Sequence, residues 1–142
     1  NLELPTIEPR EGVFIFKVSL GKVWRRFAMP SKSTLDDMVF LILKSMNFDN
    51  DHLYEFEYRD RFGARARVMH PECDEGPFAH EVSVGELPLA PGRSMRLTYD
   101  FGDNWQFDVK LEQIDPPDKR IKSARVLERH GEAPKQYNYD DY

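Results

Sequence analysis

In the stretch MRLTYDFGDNWQFDVKL, Met95 to Leu111, apolar side chains alternate with polar ones on both sides of Gly102, a period that belongs to strands. Met95, Leu97, Tyr99 and Phe101 share one face of a first strand. Trp105, Phe107, Val109 and Leu111 share one face of a second. A three-residue loop, Gly102-Asp103-Asn104, sets Phe101 opposite Trp105, Tyr99 opposite Phe107, Leu97 opposite Val109 and Met95 opposite Leu111. A two-residue loop would place the two apolar faces on opposite sides, because a one-residue slip inverts every side chain. The chain must therefore build an antiparallel sheet with one apolar face and cover that face.

A second hairpin precedes it. VFIFKVSL and VWRRFAMP flank Gly21-Lys22, a Gly-X connection of the tight-turn kind. That loop pairs Leu20 with Val23, Val18 with Arg25, Phe16 with Phe27 and Phe14 with Met29, all on one face, with Arg25 the lone polar member. Trp24 falls on the other face near Ile15 and Ala28, which predicts partial cover there. In SKSTLDDMVFLILKSMNF, Ser33 or Thr34 caps a helix with Asp36 or Asp37 completing the box. Leu35, Met38, Val39, Ile42 and Met46 form its buried stripe, and Phe40, Leu41 and Leu43 widen it, either against the sheet or toward a partner or second copy.

HLYEFEYR and ARARVMH read as two further strands around a turn at Asp60–Gly63. Pro71–Ala79 reads as a surface loop, and Ser83 and Glu86 as a capping box on a short helical turn. RVLERH before Gly131 has a short helical pattern, with His130 as a cation at its end, and the final residues are acidic and tyrosine-rich. The expected fold is α+β: a mostly antiparallel sheet of about six strands on one main helix, in the order β-β-α-β-β-turn-β-β, with a β-grasp-like opening unit. The expected organisation is an N-terminal extension, 1–12, a single domain, 13–115, and a C-terminal segment, 116–142, packing on or trailing from it.

With 142 residues the chain suits one domain, whose usual size is about 100–150 residues. Cys73 is the only cysteine, which excludes an internal disulfide and predicts a reducing, cytoplasmic location. The first residues lack the basic start and apolar middle of a signal peptide. Beginning at Asn1, the chain is expected to be processed or excerpted from a longer one. No apolar run is long enough to span a bilayer, so no membrane role is expected. A net charge of −5 opposes nucleic-acid binding, leaving RDRFGARAR as the one basic stretch.

The pieces VSLGKVWRR, STLDDM, NDHLYEF, VGEL and YDFGDNW, in that order, resemble the plasmid pRiA4b ORF-3-like family over roughly Val13 to Leu111. The resemblance implies a fold and no assigned reaction; some relatives carry labels as mobile-element passenger or resolvase-like proteins. Many relatives end in a cysteine-containing, glycine-rich segment. RVLERHGEAPKQY stands in its place here without a cysteine, so a metal role for that segment does not carry over.

Chemistry-bearing residues fall in three groups. His52 beside Asp49 and Asp51, with Tyr54, Asp100, Asp103 and Trp105, would form a polar site with an aromatic wall, as a ligand-binding surface or a metal-assisted general base. Asp103 and Asn104 are also ordinary turn residues, and His52 an ordinary member of a helix-to-strand connection. Asp100 belongs in that view on the face opposite the core. Arg59, Arg61, Arg65 and Arg67 offer an anion-binding face, or a merely solvated one. His70, Cys73, Asp74 and His80 have a spacing, H-x2-C-x6-H, that matches no zinc pattern. Glu72, Asp74 and Glu75 give Cys73 the opposite of the electropositive setting a nucleophilic thiolate needs.

The leading expectation is a non-catalytic interaction or small-ligand-binding module with an unknown protein or small molecule as partner, homodimerisation being compatible. It implies no cofactor and no bound metal, and leaves catalytic residues unassigned. The alternative is a metal-assisted hydrolase using His52, Asp100 and Asp103. A nucleic-acid-associated protein of mobile-element origin is a weaker third.

Overall fold

The computed structural model describes residues 8–137; residues 1–7 of the expected N-terminal extension and 138–142 of the tyrosine-rich end lie outside them. Strands β1 (Val13–Leu20) and β2 (Val23–Pro30) pair in the expected register, Leu20 with Val23 through Phe14 with Met29. Gly21 turns the chain with φ 60°, a value most side chains disfavour. Helix α1 (Leu35–Ser45) begins at Thr34, whose side chain accepts from the Asp37 amide while Asp37 accepts from the Thr34 amide. It ends in a Schellman arrangement: Asn47 takes φ 58°, its amide donates to Lys44, and the Phe48 amide donates to Leu43. Leu35, Met38, Val39, Ile42 and Leu43 are buried, whereas Phe40 is 60% exposed.

Strands β3 (Tyr54–Arg59) and β4 (Arg65–Met69) follow, then two 3-10 turns, Ala79–Glu81 and Val84–Glu86, the second carrying the Ser83–Glu86 capping box. β5 (Ser94–Tyr99) and β6 (Trp105–Asp115) form the last hairpin, and β7 (Arg125–His130) returns along β2. All ladders are antiparallel, in the order β4-β3-β5-β6-β1-β2-β7. The fold is thus α+β and sheet-dominated, with seven strands among the described residues and one α-helix.

Two expectations are corrected. RVLERH is a strand, since its backbone completes the open edge of β2, and tertiary pairing overrides a weak local helical pattern. Tyr99, not Phe101, pairs with Trp105, so Leu97 meets Phe107 and Met95 meets Val109. The loop is Asp100–Asn104, with Asp100 at φ 64° and Asn104 at φ 59°. The register differs by two residues, and a shift of two preserves every face. The same side chains reach the core; only Phe101 is released to the tip, 49% exposed.

One sheet face, α1 and the connections after α1 and β4 enclose the main core, with Phe14, Phe16, Phe27, Phe56, Tyr54, Tyr99 and Phe107 its largest rings. On the other face Val13, Ile15 and Ala28 pack under Ile121, the partial cover expected there. Trp24 stacks on His130 at 5.2 Å, with Lys17 and Arg26 cations 4.8 and 4.9 Å from its ring.

Arg25, the one polar residue on the apolar face, is buried at 5% exposure. Its Nε donates to the Ser45 carbonyl at 3.1 Å, and its terminal nitrogen Nη1 to the carbonyls of Trp24, His130 and Gly131. A guanidinium thereby satisfies the negative end of α1 and the end of β7 together. Arg25→Ala removes these bonds, leaving the Ser45 carbonyl only the longer 3.4 Å bond from Arg129, and is expected to cost about 2–4 kcal/mol, read as a lowered urea midpoint at unchanged slope.

Candidate functional site

The sequence-predicted residues are gathered at one end of the sheet, where the α1–β3 connection meets the β5–β6 tip. His52 sits in that connection, half-buried. Its Nε2 lies 3.3 Å from Asp100 Oδ2, 3.4 Å from Asp51 Oδ1 and 2.6 Å from the Tyr137 hydroxyl. Asp100 is buried because its left-handed backbone turns the side chain inward instead of continuing the strand away from the core. Its Oδ1 accepts from the amides of Gly102 and Asp103, which leaves Oδ2 to face His52. The Asp100 amide donates to the Leu53 carbonyl, tying the tip to the connection.

Tyr99 closes the cluster from below. Its hydroxyl donates to the Asp49 carbonyl and accepts from the amides of Asp51 and His52 at 2.9 and 3.2 Å. The C-terminal segment covers the cluster from outside. Gln136 is buried and pairs with the Asp49 backbone, its Oε1 accepting at 2.6 Å and its Nε2 donating at 3.2 Å. Tyr137 reaches both Asp51 carboxylate oxygens, at 3.0 and 2.9 Å.

The other expected members lie apart from His52. Tyr54 is fully buried and donates to Asp36 Oδ1 at 2.5 Å, bracing the first turn of α1, with His70 edge-on at 4.9 Å. Asp103 is exposed at the tip, and its carboxylate makes no hydrogen bond or ion pair among the described residues. Trp105 packs edge-on against Phe48 at 5.0 Å on the core side, and its buried indole Nε1 has no partner among the described residues. Asp51, Tyr99, Gln136 and Tyr137 complete the cluster. Proximity to His52 was the only signal for Asp51, and nothing local in the sequence links residue 137 to residue 52.

Desolvation, followed by its Asp51 hydrogen bond, holds the Tyr137 phenol above its ordinary value. Burial likewise raises Tyr99, and burial followed by the Asp36 hydrogen bond raises Tyr54. Among the described residues no three His, Cys, Asp or Glu side chains are arranged to hold a metal ion. In the His70–His80 group, His70 Nδ1 instead accepts the Glu72 amide, and His80 lies beside Phe78. On the arginine hairpin, Arg65 and Arg67 both approach Glu57, Arg59 donates to the Gly63 carbonyl, and Arg61 lies over Phe62.

A family model of plasmid pRiA4b ORF-3-like proteins matches residues 13–137. The chain belongs to that family. The match reaches past β6 to include β7, Gln136 and Tyr137. The chain is 32% identical over 115 residues to "Uncharacterized protein y4hQ" of Sinorhizobium fredii (strain NBRC 101917 / NGR234), a match covering 79% of this chain and 57% of that one. The chain therefore spans little over half the length of that curated relative. The crystal structure of the protein of unknown function MM3350 from Methanosarcina mazei Go1 superposes with a TM-score of 0.75 at 26% identity, over 89% of this chain and 74% of that one. Neither name states a reaction, and no catalytic role is indicated by these relatives.

Two outcomes follow from this geometry. The raised phenols contribute stability that is complete below about pH 10, the unfolded tyrosine value, and is lost as pH climbs toward their folded values. Urea midpoints across that range should fall in the parent and fall less in Tyr99→Phe. Tyr137→Phe should speed hydrogen exchange at the Asp49 amide, because the Gln136-Tyr137 cover then loses its Asp51 anchor.

Proposed function

We propose that this pRiA4b ORF-3-like protein is a non-catalytic, cytoplasmic interaction or small-ligand-binding module, and that the His52 cluster is its internal clasp. The observation that carries this reading is the occupancy of His52 Nε2. That nitrogen faces Asp100, Asp51 and Tyr137 and is committed to partners within the chain. These groups satisfy one another and join three separate segments, as expected of a cluster that holds the chain together. Binding is assigned to the open grooves elsewhere on the surface.

The hydrolase alternative draws support from the 3.3 Å His52–Asp100 approach, but Asp103 does not join it. The nucleic-acid reading has less support, because Glu57 offsets Arg65 and Arg67 within a chain of net charge −5. No helix among the described residues is long and apolar enough to cross a membrane.

Native mass spectrometry of chain purified without chelator, then exposed to zinc or manganese, separates the first two readings. The expected spectrum is metal-free, and Asp100→Asn is expected to destabilise by about 1–3 kcal/mol without altering it. A tightly held divalent ion that Asp100→Asn releases would overturn the clasp reading and make the hydrolase alternative the one to pursue.

A further inference from the structure

Helix α1 presents a second stripe, Asp37, Phe40, Leu41 and Lys44, at the i, i+3, i+4, i+7 spacing of one helix face. Between this stripe and residues 122–124, which lead into β7, lies an open groove of about 430 Å³. Phe40 stands in it 60% exposed, although the other large apolar side chains of the helix are buried or half-buried. Lys32, Lys44 and Lys122 line the same groove, and among the described residues none of them forms an ion pair. Its one carboxylate, Asp37, is engaged by the Thr34 amide in the helix cap.

We propose that this groove docks an acidic peptide segment of a partner protein, with one aromatic or large aliphatic side chain seated on Phe40 and its carboxylates on the three lysines. Charge complementarity selects this occupant. Three cations against the single carboxylate of Asp37, around an apolar centre on a chain of net charge −5, mark a local reversal of the surface field. A second copy docked by a two-fold contact through the same groove would set lysine against lysine. A nucleic-acid strand carries a charge at every nucleotide, and three lysines around one short groove, with Asp37 among them, give it no extended basic track. The proposal rests on the binding-module reading and deepens it.

The test uses a labelled synthetic peptide of Asp and Glu residues around one central Phe, titrated with the full chain in fluorescence polarisation. Binding is expected to weaken by about tenfold or more in Phe40→Ser, in the Lys32→Glu/Lys122→Glu pair, and on replacing the peptide's Phe by Ala. It should also weaken with added salt, and amide NMR shifts should be confined to residues 30–44 and 122–124. All substituted positions are exposed, and circular dichroism checks that the variants fold. No binding, equal binding by the variants, or shifts mapping elsewhere would overturn the proposal. So would a single-stranded oligonucleotide that binds the groove more tightly than the peptide, or self-association in sedimentation that Phe40→Ser abolishes. Each of these removes the acidic-peptide assignment while leaving the binding-module reading in place; a metal ion held at His52 and Asp100 would remove the latter separately.

Discussion

Seven strands spaced by about 4.8 Å make a face roughly 29 Å wide, whereas one helix is about 10 Å across. Covering that face is the constraint on which the rest of the structure depends. α1 shields its middle, and the chain recruits Met46, Phe48, Ala79, Val84, Leu87 and Leu89 from connections to cover the remainder. Those connections carry backbone polar groups into partly dry surroundings, and each needs a partner. Arg10 supplies two, its guanidinium donating to the Leu87 and Leu89 carbonyls at 2.7 Å. Arg25 supplies more, from within the apolar face itself. Burial holds its pKa below the ordinary arginine value, with Arg129 adding to the effect.

The polar cluster at the β5–β6 tip follows from the same need. The α1–β3 connection passes over Tyr99, which lies at the end of β5 with its ring in the core and its hydroxyl at the rim. That hydroxyl engages three backbone groups of Asp49, Asp51 and His52, and Gln136 with Tyr137 closes over them. The groups that looked catalytic therefore stand where chain segments must be joined. On the outer sheet face the charges are used differently. Arg26 bridges Glu112 at 2.6 Å and Glu128 at 2.8 Å, across β6, β2 and β7, and its hydrogen bond is the main cause of the lowered Glu112 pKa. The lysines around Phe40 are the contrasting case, cations lacking a carboxylate of their own among the described residues.

The residue alternation and spacing of this chain determined its faces. Period-two patterning named nearly every strand residue that is buried, paired β1 with β2 in register, and identified Thr34 or Ser33 as the helix start. These features are legible because they depend on neighbours a few residues away. The same dependence explains why alternation leaves the β5–β6 register open to a shift of two: faces are invariant to such a shift, and only the left-handed turns at Asp100 and Asn104 distinguish the alternatives. What the tertiary structure alone decided was position across long separations. It made RVLERH a seventh strand by offering it the edge of β2, put Arg25 under the end of α1, and brought Tyr137 onto His52 while leaving Asp103 outside. Hydrogen bonds between residues some 20 to 106 positions apart leave no periodic trace in the chain, because geometry is met only after the sheet and helix have packed.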